Sequence, residues 1–185
     1  MASPSKEEHI LRLILENSPL REWRFEELVR EAGVTRAVAN KWLKKYVAEG
    51  VISRVKPAGA FPFYTAGRDN PVYLARKRAY AFELISASGL LAGLLGLKEA
   101  RTIIVFGSMI RGDWYKDSDV DVFLYGKPGS FDEKAYEDAL QHPIELHVFK
   151  TLRELRDVKT GLVKNVADGY LVKGSFRDLA ENVPA

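Results

Sequence analysis

The hydrophobic rhythm of this 185-residue chain changes near residue 100. Upstream, apolar residues recur at the spacing of helices. Downstream, short β-rich runs alternate with helical segments. A chain of this length can bury one good-sized core or two modest ones. The change of period favours two: a mostly helical N-terminal domain, and an α/β or α+β C-terminal domain.

In the first half, Ser5 and Glu8 form a capping box, and Ile10, Leu11, Ile14 and Leu15 make the buried stripe of a helix closed by Pro19. A second helix over about Phe25–Glu31 turns Leu28 and Val29 inward and stops at Gly33. The third follows the capping hydroxyl of Thr35 and runs to Glu49–Gly50, with Val38, Ala39, Trp42, Leu43, Tyr46 and Val47 toward the core. Val51–Val55 and Phe61–Thr65 flank a turn-rich segment as two strands, Pro62 confining the second to an edge. Helices followed by a hairpin predict a winged helix-turn-helix over residues 1–68, mostly α with a β-hairpin wing.

Its charge is one-sided. Arg36, Asn40 and Lys44 recur every four residues away from the apolar stripe, Lys41 and Lys45 flank them, and Arg54 and Lys56 lie on the wing. Glu22, Glu26, Glu27 and Glu31 make the first two helices acidic. Long donors for phosphates and an Asn for base edges suit double-stranded DNA. The competing use is protein contact or dimerisation. One such module touches too little DNA for tight specificity, so DNA binding implies a homodimer on two half-sites.

A linking helix, about Pro71–Leu97 with a break near Ser88–Gly89, occupies residues 69–98. The C-terminal domain, residues 99–185, reads as strands at Thr102–Phe106, Val120–Tyr125, Ile144–Phe149 and Tyr170–Val172. Helical segments fall at Phe131–Leu140 and Leu152–Asp168, and Ser175 opens a short final helix.

Asp119 and Asp121 are two apart in a strand and share a face, while Val120, Val122 and Leu124 supply the buried one. Crowded carboxylates raise each other's cost of ionisation. A divalent cation removes that cost, and carboxylate oxygens are what magnesium prefers. Glu145 shares a strand face with His147, opposite Ile144, Leu146 and Val148, and is the candidate third acid. Gly107 and Ser108 follow the preceding strand, where backbone N–H groups, a hydroxyl and a helix start can meet a phosphate. Arg111 either neutralises phosphate charge or pairs with Asp113 or Asp117. His147 acts near the phosphates or, as the stronger reading, is a satisfied polar residue at a sheet edge. Trp114 and Tyr115 stack on a base or cover the core, and Lys116 is a solvated charge.

The stretch Gly107–Ser108, Arg111–Gly112 and Ser118–Asp119–Val120–Asp121 resembles the signature of the DNA polymerase β-like nucleotidyltransferase superfamily, in its minimal nucleotidyltransferase branch. The resemblance covers roughly residues 98–174, and the whole chain looks like archaeal-type proteins that fuse a winged helix to such a domain. It implies an α/β (α+β) nucleotidyltransferase fold with a small mixed sheet. By that likeness Asp119, Asp121 and Glu145 would be catalytic and ligate Mg2+ or Mn2+, and Gly107, Ser108, Arg111 and Ser118 would hold a nucleoside triphosphate, with ATP favoured. Such relatives commonly act as the antitoxin partner of a small helical toxin. The expected function is therefore transfer of a nucleoside monophosphate to a hydroxyl, including one on a protein, by an autoregulating antitoxin. The alternative is a DNA-binding transcriptional regulator whose transferase-like domain is inactive or only senses nucleotide.

Composition excludes some classes. The chain lacks cysteine, so disulfides and thiolate metal sites are out, and its three histidines show no i,i+4 pairing that would suggest zinc. The apolar run Ala87–Leu97 is too short to span a bilayer, and the first residues lack a secretory pattern. These features lead to the expectation of a cytoplasmic protein that engages no membrane, and the net charge of +3 is a mild hint of polyanionic partners.

Overall fold

A computed structural model of the chain describes residues 6–180. It divides into two compact units, 1–77 and 78–185, with the boundary inside one helix. The capping box expected at Ser5 lies outside the described residues.

The first unit holds α1 (Lys6–Glu16), α2 (Phe25–Ala32) and α3 (Arg36–Ala48), then β1 (Ile52–Val55) and β2 (Phe63–Ala66). Ile10, Ile14 and Leu15 of α1 pack with Leu28, Ala32, Ala39, Leu43 and Tyr46 in the buried set. Helix α2 ends at Gly33, whose φ of 62° is the left-handed conformation a glycine adopts without penalty. Thr35 caps α3 by accepting the Val38 N–H at 3.3 Å. One core expectation fails. Val47 is 38% exposed, because Ala39, Leu43 and Tyr46 centre the stripe and Val47 falls about 70° to its side at 100° per residue.

Strands β1 and β2 pair antiparallel from Ile52↔Ala66 to Val55↔Phe63. Trp23 adds a bridge to Tyr64 through backbone bonds of 2.8 and 2.9 Å. The second strand starts at Phe63 rather than Phe61, which leaves Pro62, with no N–H to give, outside the ladder.

Helix α4 (Pro71–Ala87) carries the chain across the unit boundary and ends where expected. Ser88 and Gly89 (φ 80°) separate it from α5 (Leu90–Leu95). The second unit then runs β3 (Ala100–Phe106), α6 (Ser108–Arg111), β4 (Val120–Gly126), α7 (Glu133–Leu140), β5 (Ile144–Phe149), α8 (Leu152–Arg156), α9 (Thr160–Ala167), β6 (Tyr170–Lys173) and α10 (Arg177–Ala180). The helical stretch expected over 152–168 is two helices, each with its own start: Thr151 caps α8 through the Glu154 N–H, and Lys159 precedes α9.

The four strands form a mixed sheet in the order β5-β4-β3-β6. Strand β3 is antiparallel to both β4 and β6, and β4 is parallel to β5. Each face has its own core. Ile103, Val105, Val120, Val122, Leu124 and Ile144 pack on one side with Ile85, Leu90, Leu94, Met109, Trp114 and Leu140. On the other, Ile104, Phe106, Phe123 and Tyr125 meet Leu155 of α8 and Val166 of α9. No described helix is long and apolar enough to cross a membrane.

Candidate active site

Strand β3 delivers the chain to a turn that only glycine can make. Gly107 has φ 80° and ψ −156°, outside the range of L side chains. A Cβ there would fall inside the Asp121 carboxylate. Two constraints thus converge on one residue: the backbone must turn, and a carboxylate must sit against it. Ser108 follows with its Oγ buried and without a hydrogen-bond partner, a costly state for a hydroxyl. The helix start expected here is α6, only four residues long, so it adds N–H donors at its first turn and little macrodipole.

The parallel pairing of β4 with β5 sets the acids. Asp121 lies opposite Glu145, and Phe123 opposite His147. Because side chains alternate, Asp121, Glu145 and His147 emerge on one face, at the end of the sheet where Asp121 also pairs with Phe106 of β3. His147 Nε2 lies 3.6 Å from Asp121 Oδ1 and 3.6 Å from Glu145 Oε1. That is ion-pair range and longer than a hydrogen bond. The candidate ligand atoms of all three lie within 4.8 Å of one another. Phe106 packs on the imidazole with ring centroids 5.4 Å apart. The Asp121 and His147 side chains are 19% and 23% exposed, whereas Glu145, at 57%, opens to solvent.

Electrostatics bear out the crowding. Burial, and then the charge of Asp119, push the Asp121 carboxyl above its ordinary range; Glu145 adds to the rise and His147 opposes it. Two oxygens and one imidazole nitrogen, beside an orphaned buried hydroxyl and a turn with no room for a Cβ, fit a divalent cation with a phosphate next to it.

Several expected site residues sit differently. Asp119 is not in the strand with Asp121: β4 begins at Val120, whose N–H reaches Pro143 O at 2.8 Å. Asp119 is accordingly absent from the group of ligand atoms within 4.8 Å, although its charge is felt at Asp121. Ser118 braces its own loop, its Oγ accepting the Tyr115 N–H at 3.0 Å and its carbonyl meeting His142 Nδ1 at 2.7 Å. Arg111 Nε lies 3.4 Å from Asp113, one of the two pairings foreseen, and its carbonyl accepts from Arg78 Nε at 2.8 Å. Trp114 is fully buried, edge-on to His142 and stacked near Tyr80, so it covers the core; Tyr115 is exposed. The residue undervalued in the sequence was His147. Its i,i+2 spacing from Glu145 was the available signal, but the strand register that brings it to Asp121 is not written in either segment.

In the first unit, Asn40, Lys41, Lys44, Lys45, Arg54 and Lys56 are all exposed. Part of that charge has partners. Arg36 pairs with Glu26 at 2.9 Å, Lys45 lies 3.8 Å from Glu49, and Lys41 and Lys45 both lie over the Trp42 ring.

Residues 94–171 match the family model described as a nucleotidyltransferase domain. No curated protein matches the chain. Among solved structures, a chain from "Crystal structure of the toxin-antitoxin with AMP-PNP" is similar at 18% identity and a TM-score of 0.34, covering 57% of this chain and 79% of that one. A likeness that distant carries no argument about function.

Proposed function

We propose that the second unit transfers a nucleoside monophosphate from a nucleoside triphosphate, ATP for preference, to a hydroxyl acceptor in the presence of Mg2+ or Mn2+. One observation carries this reading. Asp121 and Glu145 stand in register on adjacent strands, against a glycine turn that leaves no space for a side chain. A bound cation would offset the repulsion of these carboxylates and polarise the phosphate oxygens. Asp121, Glu145 and His147 would hold it, and Asp119 would add negative charge at the edge of the site. The Gly107 backbone and the Ser108 hydroxyl would bind the phosphate chain and orient it for in-line attack by the acceptor oxygen, with pyrophosphate as leaving group. Arg111, already paired with Asp113, would reach the phosphates only by exchanging that partner.

The acceptor we favour is a side-chain hydroxyl on a small helical partner, in the antitoxin role that the sequence resemblance implies. For the first unit we propose a winged helix-turn-helix that binds double-stranded DNA as a homodimer. Asn40, Lys41 and Lys44 of α3 would face the groove, with Arg54 and Lys56 on the hairpin. Arg36 and Lys45 would contribute less, since each already has an acid beside it.

The transfer reading is tested with ATP labelled at the α-phosphate, incubated with the protein and Mg2+ alongside co-expressed candidate acceptors. Label should appear on an acceptor, with pyrophosphate released in equal amount. Release of neither from the wild type, under conditions where nucleotide binds, would leave a nucleotide sensor and remove the enzyme. For the DNA reading, charge reversal of Lys44 and Arg54 should weaken binding to the chain's own upstream DNA and flatten its salt dependence. Unchanged binding would remove the assignment of α3.

A further inference from the structure

We infer that His147 is a nitrogen ligand that turns this site from Mg2+ toward first-row transition divalents such as Mn2+. The inference rests on the metal site proposed above and concerns which ion that site selects. Its basis is an imbalance around one atom. His147 Nε2 is buried and has no hydrogen-bond partner, although buried polar atoms nearly always have one. It is equidistant, at 3.6 Å, from a carboxylate oxygen on its own strand and one on the neighbouring strand. That separation is too long for a hydrogen bond to either. It is close to the spacing of about 3–4 Å that separates ligand atoms bonded at about 2.0–2.2 Å to one common ion.

The rest of the residue is fixed from two sides. The β5 backbone aligns His147 with Phe123 in the ladder, and the Phe106 ring packs on its imidazole. Glu145, more than half exposed, is the member of the set with room to adjust to the ion. Mg2+ is a hard ion that keeps oxygen ligands and several waters. Imidazole gains affinity as the ion softens, so a donor set of two carboxylates and one nitrogen penalises Mg2+ relative to Mn2+, Co2+ or Zn2+. An all-carboxylate triad would show a weaker bias of the same sign. The other role open to His147 is a protonated imidazole tying the two carboxylates together, with no contact to any ion.

Mn2+ itself is the probe. The full chain is titrated with MnCl2 and followed by electron paramagnetic resonance, and the bound ion is examined by electron spin echo for modulation from a 14N nucleus. Nitrogen coupling should be present in the wild type and absent in His147→Gln, which keeps an oxygen donor at the same place. His142, engaged with Ser118 O, stays in both proteins and so serves as a control. In competition, wild type should need about 10-fold or more excess Mg2+ to displace half the Mn2+, and His147→Gln should lose most of that preference. Because the wild-type spectrum alone decides coordination, a poorly folding variant does not rescue the idea. Mn2+ bound without nitrogen coupling overturns the inference and leaves the metal site standing. Failure of both Mn2+ and Mg2+ to bind overturns the metal site and the inference together.

Discussion

The two faces of the four-stranded sheet are drawn from alternate residues of the same strands, yet they meet different demands. One face of β4 offers Val120, Val122 and Leu124 to a closed apolar core. The other offers Phe123 and Tyr125 to a second core, but at its first position places Asp121 beside Glu145 and His147. A strand that served only packing would continue the apolar pattern to its end. The like charges are held at an end of the sheet where Glu145 stays exposed, and burial makes Asp121 harder to ionise. The packed face is where stability resides. The acidic end gives some of it up, which is expected of a site made to hold a cation.

Substitutions on the two faces should therefore fail in different assays. The largest effect belongs to the acidic end: Asp121→Asn should lower nucleotidyl transfer by about a thousandfold, roughly 4 kcal/mol of barrier, without loss of folded structure by circular dichroism. Leu124→Ala, one turn of the pleat away on the packed face, should cost about 2–5 kcal/mol in a urea titration while Mg2+-dependent nucleotide binding survives in the folded fraction. Gly107→Ala stands between the faces. Its positive φ and the Asp121 carboxylate both oppose a methyl group, so it should lose about 1–3 kcal/mol of stability and nucleotide binding with it. If Gly107→Ala bound nucleotide normally, the turn would not be the phosphate cradle.

The smallest effect is one of sign. The Asp121 carboxyl is held above its ordinary range, chiefly by burial and then by Asp119. The folded protein therefore binds that proton more tightly than the unfolded chain does. The associated stability is full below the ordinary carboxylate pKa and is lost as pH rises through the raised value. Without divalent ions, Asp121→Asn should melt above wild type near neutral pH, and the gap should close as pH falls into the carboxylate range. A gap that widens on acidification would mean that Asp121 is stabilised in its ionised form, the opposite of a site awaiting a cation.

The faces themselves were legible in the sequence, because a period of two needs no knowledge of the partner strand. Val120, Val122 and Leu124 against Asp121, and Ile144 and Val148 against Glu145 and His147, are alternations that any pairing would preserve. The break at Ser88–Gly89, the Gly33 stop and the Thr35 cap were legible too, since each is a local backbone effect. Pairing was not. Nothing in either segment says that β4 runs parallel to β5 with 121 beside 145, and without that register His147 reads as a polar residue at an edge. Strand ends were equally hidden. Asp119 repeats the alternation of Asp121, but the β4–β5 ladder begins with the Val120↔Ile144 pair and its Val120 N–H to Pro143 O bond, so Asp119 lies one residue outside it. Long side chains were ambiguous for a different reason: Arg111 could reach Asp113 or Asp117, and only the fold of the loop chose Asp113.

Titration calorimetry with a non-hydrolysable ATP analogue, on wild type and Asp121→Asn, puts the divalent-ion site to its most direct test. Wild type should bind the analogue when Mg2+ or Mn2+ is present and lose that binding on chelation, while the variant binds weakly in both conditions. Equal binding with and without the ion, or a variant indistinguishable from wild type, would mean that the acids at the sheet end do not exist to hold a metal.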